Sequence, residues 1–145
     1  MKIQQLSVFL ENKPGTLSFP CRILSEAGIN LVTLSLADTA QFGILRIIVR
    51  DWERAKQLLE RGGCAVRVTE VLAIEVTDRP GGLLEILTVL EQGGVNVEYM
   101  YAFAAKQGDC ATLVFRFSDP DAALRVLQAA KISVISSVEL FQRLQ

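Results

Sequence analysis

Residues 74–83 read Ile74-Glu75-Val76-Thr77-Asp78-Arg79-Pro80-Gly81-Gly82-Leu83, and 66 positions earlier the chain reads Val8-Phe9-Leu10-Glu11-Asn12-Lys13-Pro14-Gly15-Thr16-Leu17. In both stretches an apolar-rich run stops at a Pro-Gly turn and a leucine follows. The same spacing carries Leu24 onto Leu90, Gly28 onto Gly94, Ile29 onto Val95, Asn30 onto Asn96 and Leu31 onto Val97. Asp51, Ala55 and Leu59 then match Asp119, Ala123 and Leu127 at a spacing of 68, so the second copy holds two extra residues. The turn Ala104-Ala105-Lys106-Gln107-Gly108-Asp109 is the expected place for them. The chain is a duplication, with copies at 1–70 and 71–145.

Within a copy the hydrophobic period switches in a fixed order. Ile3 to Leu10 reads as a strand ending at the Pro-Gly turn. Leu17, Cys21, Leu24 and Ala27 then form one helical stripe, closed by Gly28 in a left-handed conformation. Leu83, Leu87, Leu90 and Gly94 do the same in the second copy. Pro20 lies in the first turn, where a missing N–H costs least.

Ile29 to Leu36 with Ile44 to Val49, and Val95 to Phe103 with Ala111 to Phe117, read as strand pairs of hairpins. Asp51 and Asp119 are expected N-caps of a second helix, the latter followed by Pro120 at the favoured first position. Ala55, Leu58 and Leu59, or Ala123, Val126 and Leu127, give its buried face. Ala65 to Val68 and Ser133 to Leu140 are the expected closing strands. The order is β-α-β-β-α-β twice, an α+β class of two ferredoxin-like units with antiparallel sheets and both helices on one face. No Pro, Gly or Ser stretch separates the copies at 67–74, so they are expected to pack in tandem.

Composition excludes much chemistry. The 145 residues are half apolar and carry 15 Lys plus Arg against 16 Asp plus Glu, a formal net charge of -1. Scattered basic residues argue against a nucleic-acid groove or a polybasic membrane patch. No apolar run approaches the roughly 18 residues of a membrane span. With no histidine, an ordinary zinc site, a Ser-His triad and a Cys-His pair all lack a working member. Cys21, Cys64 and Cys110 form no CxxC or Cys/His cluster and read as reduced core thiols of a cytoplasmic protein. No cofactor, metal or catalytic residue is expected. Trp52 reads as a packing residue. Tyr99, Tyr101 and Phe103 should share one strand face with Met100 on the other, mainly for packing.

The repeated Pro-Gly, helix and Gly-(Ile/Val)-Asn pattern resembles the ACT domain, the amino-acid-sensing module of many biosynthetic enzymes, over nearly the whole chain. Glu11 to Leu17, Ala27 to Leu31 and the turn Thr39-Ala40-Gln41-Phe42-Gly43 look like the serine-sensing ACT domain of phosphoglycerate dehydrogenase. The second copy follows the general family pattern.

In the family the ligand sits where the first loop of one domain faces the following strand of a neighbour. The resemblance therefore implies ligand contacts from Asn12, Gly15, Leu17, Asn30 and Leu31 in the first copy. In the second it implies Asp78, Gly81, Leu83, Asn96 and Val97. The residue types suit this task. A glycine turn lets the backbone approach a ligand, a helix start attracts a carboxylate, and an asparagine both donates and accepts. Leu10 stands where the dehydrogenase has a histidine, and Asp78 replaces the asparagine, so the resemblance does not single out serine. An anionic Asp78 would repel a ligand carboxylate and attract its ammonium, which leaves two expectations open, sites of different affinity or one empty site.

The implied protein is a non-catalytic regulator that binds a free amino acid and passes its occupancy to a metabolic enzyme partner, with a homodimer expected from exposed sheet edges. Three rivals stand beside this reading. Leu6 to Gly15 also resembles the small regulatory subunit of acetohydroxyacid synthase, whose second half lacks the repeated motif. A ligand-free assembly module would use the same fold. An acylphosphatase-like enzyme would need a phosphate-gripping Arg in the first loop and a positioned Asn; Lys13 and Arg79 leave that open, but no fitting phosphate loop is present.

Overall fold

The switch from period two to period 3.6 at each Pro-Gly turn sets the order of elements. A computed structural model describes residues 1–143, excepting the side chains of residues 103–107. The first copy contributes β1 (Ile3–Glu11), α1 (Ser18–Glu26), β2 (Thr33–Asp38), β3 (Phe42–Ile48) and α2 (Trp52–Arg61). A single strand, β4 (Ala65–Thr77), runs across the repeat boundary. It is followed by α3 (Gly82–Gln92), β5 (Val97–Gln107), β6 (Cys110–Phe117), α4 (Pro120–Ala129), β7 (Val134–Ile135) and α5 (Ser137–Arg143). The chain divides into two compact units, Gln4–Thr69 and Met1–Ile3 with Glu70 onward.

In the N-terminal unit the strand order is β2-β3-β1-β4. The antiparallel register places Val8 opposite Leu45 and Leu36 opposite Leu45. Strand alternation sends Leu6, Val8, Leu45, Ile47 and Val49 to the face covered by helices, where they meet Leu24, Ala55 and Leu59 in one core. Trp52 packs half-buried against it.

The C-terminal unit orders its strands β5-β6-β4, with β7 on the far side of β4. Leu72, Ile74, Val76, Phe115 and Phe117 form its core with Ile86, Leu90, Ala123 and Leu127. Ile86 is the centre of the α3 face, with the expected Leu83 and Leu87 only partly buried beside it. Met100 packs on this core, and Tyr99 and Tyr101 stand opposite Arg116 and Val114 on the other face. The Phe103 side chain lies outside the described residues. Lys2 reaches Glu70 at 3.4 Å and Asp121 at 3.1 Å, which ties the first residues to this unit. Its hydrogen bond to Asp121 is the main reason that its pKa lies above the ordinary lysine value.

Helix ends follow local chemistry. The carboxylates of Asp51 and Asp119 accept from the Arg54 and Ala122 N–H groups. Gly28 and Gly94, at φ +71° and +68°, end α1 and α3. Ile29 and Val95 then donate back to the Leu24 and Leu90 carbonyls, the Schellman pattern. Gly63 does the same for α2 at φ +90°, but α4 ends on Lys131 at φ +58°. A left-handed non-glycine residue costs about 1 kcal/mol or more, so Lys131→Gly is expected to raise stability by roughly 0.5 kcal/mol after the entropy of glycine is counted. Urea unfolding of the two proteins checks this, and no gain would mean that the turn carries no strain.

Three boundaries differ from the sequence reading. β2 and β5 begin at Thr33 and Val97, after a segment that completes the helix stop. The second hairpin turns at Gly108, with its strands extended and register shifts taking up the extra length. The expected strand Ser133 to Leu140 is only β7, after which the chain turns into α5. There Ser136 Oγ accepts from the Glu139 N–H at 3.2 Å, half of an S-x-x-E capping box. Leu140 is buried, and Arg143 pairs with Glu139 and with Glu75 of β4.

Candidate functional site

Both Pro-Gly loops are anchored in the same way. The Asn12 N–H donates to the Gln41 carbonyl at 2.9 Å, and the Asp78 N–H to the Asp109 carbonyl at 2.6 Å, so each loop is tied to the hairpin turn beside it. Gly15 and Gly81 take φ values of +88° and +86°, which a side chain would strain. Thr16 Oγ1 donates within its loop, to the Glu11 and Lys13 carbonyls at 2.5 and 2.9 Å. Neither α1 nor α3 has a side-chain cap, unlike α2 and α4. Their first-turn N–H groups are suited to a carboxylate.

The asparagines lie at the other end of these helices. In the N-terminal unit a cleft of about 360 Å³ is lined by Cys21, Leu24 and Ser25 of α1 and by Gly28, Ile29, Asn30 and Leu31 of the turn that follows. In the C-terminal unit a cleft of about 430 Å³ is lined by Leu87, Leu90 and Glu91 and by Gly94, Val95, Asn96 and Val97. All seven positions correspond between the copies at the spacing of 66. Two separately folded stretches have therefore made the same concavity from the same positions.

Of the expected contact residues, the structure brings Asn30 together with Leu31, and Asn96 with Val97. Asn12, Gly15 and Leu17, and likewise Asp78, Gly81 and Leu83, do not line these clefts. They stand at the opposite end of a helix of 9 residues in α1 or 11 in α3, which is about 13 Å or 16 Å long. A free amino acid cannot span that length within one unit.

Details distinguish the two clefts. Asn96 Nδ2 donates to Ser118 Oγ at 3.0 Å. The Asn30 amide makes no hydrogen bond among the described residues. Glu91 of the second cleft stands where the first has Ser25. Sequence reading had singled out the asparagines but not Ser25, Glu91 or Ser118, although the repeat spacing already paired the first two.

The cysteines are free and half-buried rather than core residues. Cys21 lines the first cleft, and burial pushes the Cys64 thiol pKa up. No group of histidine, cysteine or carboxylate side chains suited to a metal ion occurs among the described residues. Among them, too, no helix is long and apolar enough to cross a membrane.

The family model of the ACT domain pair matches residues 1–144. The chain belongs to the ACT domain pair family. Members of this family are typically amino-acid-sensing regulators and usually non-catalytic. The ACT pair is similar to a crystal structure of a Bacteroides thetaiotaomicron protein, with 39% identity, a TM-score of 0.90, and coverage of 98% of this chain and 97% of that one. It shares its fold with the regulatory subunits of aspartate kinase from Thermus thermophilus and Thermus flavus. These are 15% and 16% identical, at TM-scores of 0.61 and 0.60, and the match covers 88% of this chain in both and 91% and 92% of theirs. No curated protein matches the ACT pair.

Proposed function

We propose that this ACT pair binds a free amino acid and transmits its occupancy to a partner enzyme in the cytoplasm, with no catalysis of its own. The recurrence of one cleft, with an asparagine at its rim, at the same seven positions of both copies is the observation that carries this reading. Similarity in fold to the regulatory subunits of a kinase supports action through a partner. The free thiols fit a reducing compartment.

Because the Pro-Gly loop and the asparagine cleft stand a helix length apart, a ligand touching both is held by two ACT units at once. In this reading a homodimer supplies the second unit. The open edge β2, which exposes Leu34 and Leu36, is suited to pairing with a second copy. The ligand then favours one arrangement of units, and a partner that prefers that arrangement responds to ligand concentration.

A thermal-shift screen of the full chain against the twenty amino acids tests the proposal. A ligand at 100 times its dissociation constant adds about 2.7 kcal/mol, a shift of several degrees. A shift from one amino acid or a related few is the expected result. Flat curves across the set would overturn free amino-acid sensing and leave an assembly module.

A further inference from the structure

We infer that the cleft of the C-terminal unit selects an amino acid with a basic side chain, its cation held by Glu91 and its aliphatic stem by Leu87. This inference rests on the sensor reading above and names the ligand class of one of the two clefts.

The residues that line the clefts fall into two sets. Leu24 and Leu90, Gly28 and Gly94, and Asn30 and Asn96 are identical between the copies, while Ile29 and Val95, like Leu31 and Val97, are aliphatic in both. Only two positions change in character: Cys21 becomes Leu87, and Ser25 becomes Glu91. The α-amino and α-carboxylate groups are common to every amino acid, so the shared positions are suited to reading them. The side chain is read where the clefts differ.

The two changed positions belong together. Leu87 and Glu91 are four residues apart on α3, so they share one helix face with Cβ atoms about 6 Å apart. An apolar wall ending in a carboxylate matches lysine or arginine, whose methylene stem lies on apolar surface while the cation reaches a polar partner. Cys21 and Ser25 give the first cleft a smaller, neutral counterpart.

The setting of Glu91 leaves its charge uncompensated. It is exposed, and its carboxylate makes no ion pair or hydrogen bond among the described residues. The last turn of α3 holds no basic residue, and the helix dipole disfavours a negative charge at that end. Glu85, in the first turn of the same helix, is instead paired with Arg79 at 2.6 Å. A bound cation meets both conditions at Glu91 through a charge-assisted hydrogen bond. A zwitterion with a neutral side chain has no net charge to bring to this carboxylate.

The test is isothermal titration of the full chain with the twenty amino acids and two uncharged analogues, norleucine for lysine and citrulline for arginine. The natural sequence is compared with Glu91→Gln and Ser25→Glu, both at exposed positions, and unliganded melting confirms that each variant folds. Lysine or arginine is expected to bind at one site per chain, at least tenfold more tightly than its uncharged analogue. Glu91→Gln should weaken that binding about tenfold, and Ser25→Glu should add a second site for the basic amino acid. Binding of the basic amino acid unchanged in Glu91→Gln would overturn the assignment, as would neutral amino acids bound with no basic one, both leaving amino-acid sensing intact. An uncharged analogue that binds as tightly as its parent would likewise overturn it, because Glu91 would then read the α-amino group. No binding by any amino acid would instead remove the sensor reading, and this assignment with it.

Discussion

Gly82→Ala is expected to destabilise the C-terminal unit by about 3 kcal/mol, near the upper end of what one added methyl group does in a packed site. A Cβ at residue 82 would lie 2.0 Å from the Thr77 carbonyl oxygen and 3.1 Å from its carbon. Both atoms are backbone, and neither can rotate away. The start of α3 would have to lift off β4, drawing Ile86 and Leu90 from the core that they share with Ile74 and Val76.

The neighbouring Gly81→Ala is the control. Its φ of +86° makes alanine strained, but the added Cβ meets nothing within 4 Å, so a cost of about 1 kcal/mol is expected. Equal losses from the two variants in urea unfolding would mean that dihedral strain and not space governs this turn. The first copy has Thr16 at the equivalent place, and there the helix begins two residues later, at Ser18. The close approach is therefore a property of the second copy alone.

The second large effect lies in the same core. Phe115 is fully buried and stacks on Phe117, with ring centres 5.5 Å apart and planes within 4°. Truncation to alanine removes the ring and leaves a cavity between β6 and the helices, a loss of about 4 kcal/mol. Phe115→Leu keeps most of the volume and is expected to cost about 1.5 kcal/mol. A melting midpoint roughly 10 °C below that of the natural sequence is the expected reading for Phe115→Ala. A loss under about 2 kcal/mol would show that the surrounding helices collapse into the space. The equivalent residue of the first copy is Ile47, also fully buried, so the two cores are filled by different side chains on one backbone plan.

What could be read from the sequence was whatever depended on local chemistry. Gly28 and Gly94 stop their helices because the left-handed turn nearly demands glycine, and Asp51 and Asp119 start theirs because a carboxylate there satisfies a free N–H. Symmetry with the first copy predicts a closing strand over Ser133 to Leu140, but the Ser136-x-x-Glu139 cap, itself a local signal, starts α5 there instead. The extra residues of the second hairpin entered its strands through register shifts, a pairing event that no turn residue announces. The clefts were legible in part. Asn30 and Asn96 stand out as matched polar residues, but the hydrogen bond that separates them joins the residue before β5 to the residue after β6 and has no mark in a single chain segment.

The edges of the sheets differ in a way that bears on how this protein would aggregate. β7 offers only two residues to an incoming chain, and β5 is interrupted by two register shifts, so neither is a good template for ordered stacking. β2 is the exception. It runs from Thr33 to Asp38 in unbroken register with β3 and carries the exposed Leu34 and Leu36. When mutation or heat loosens the fold, filament growth should therefore begin on the N-terminal unit, although the most damaging substitutions lie in the C-terminal one.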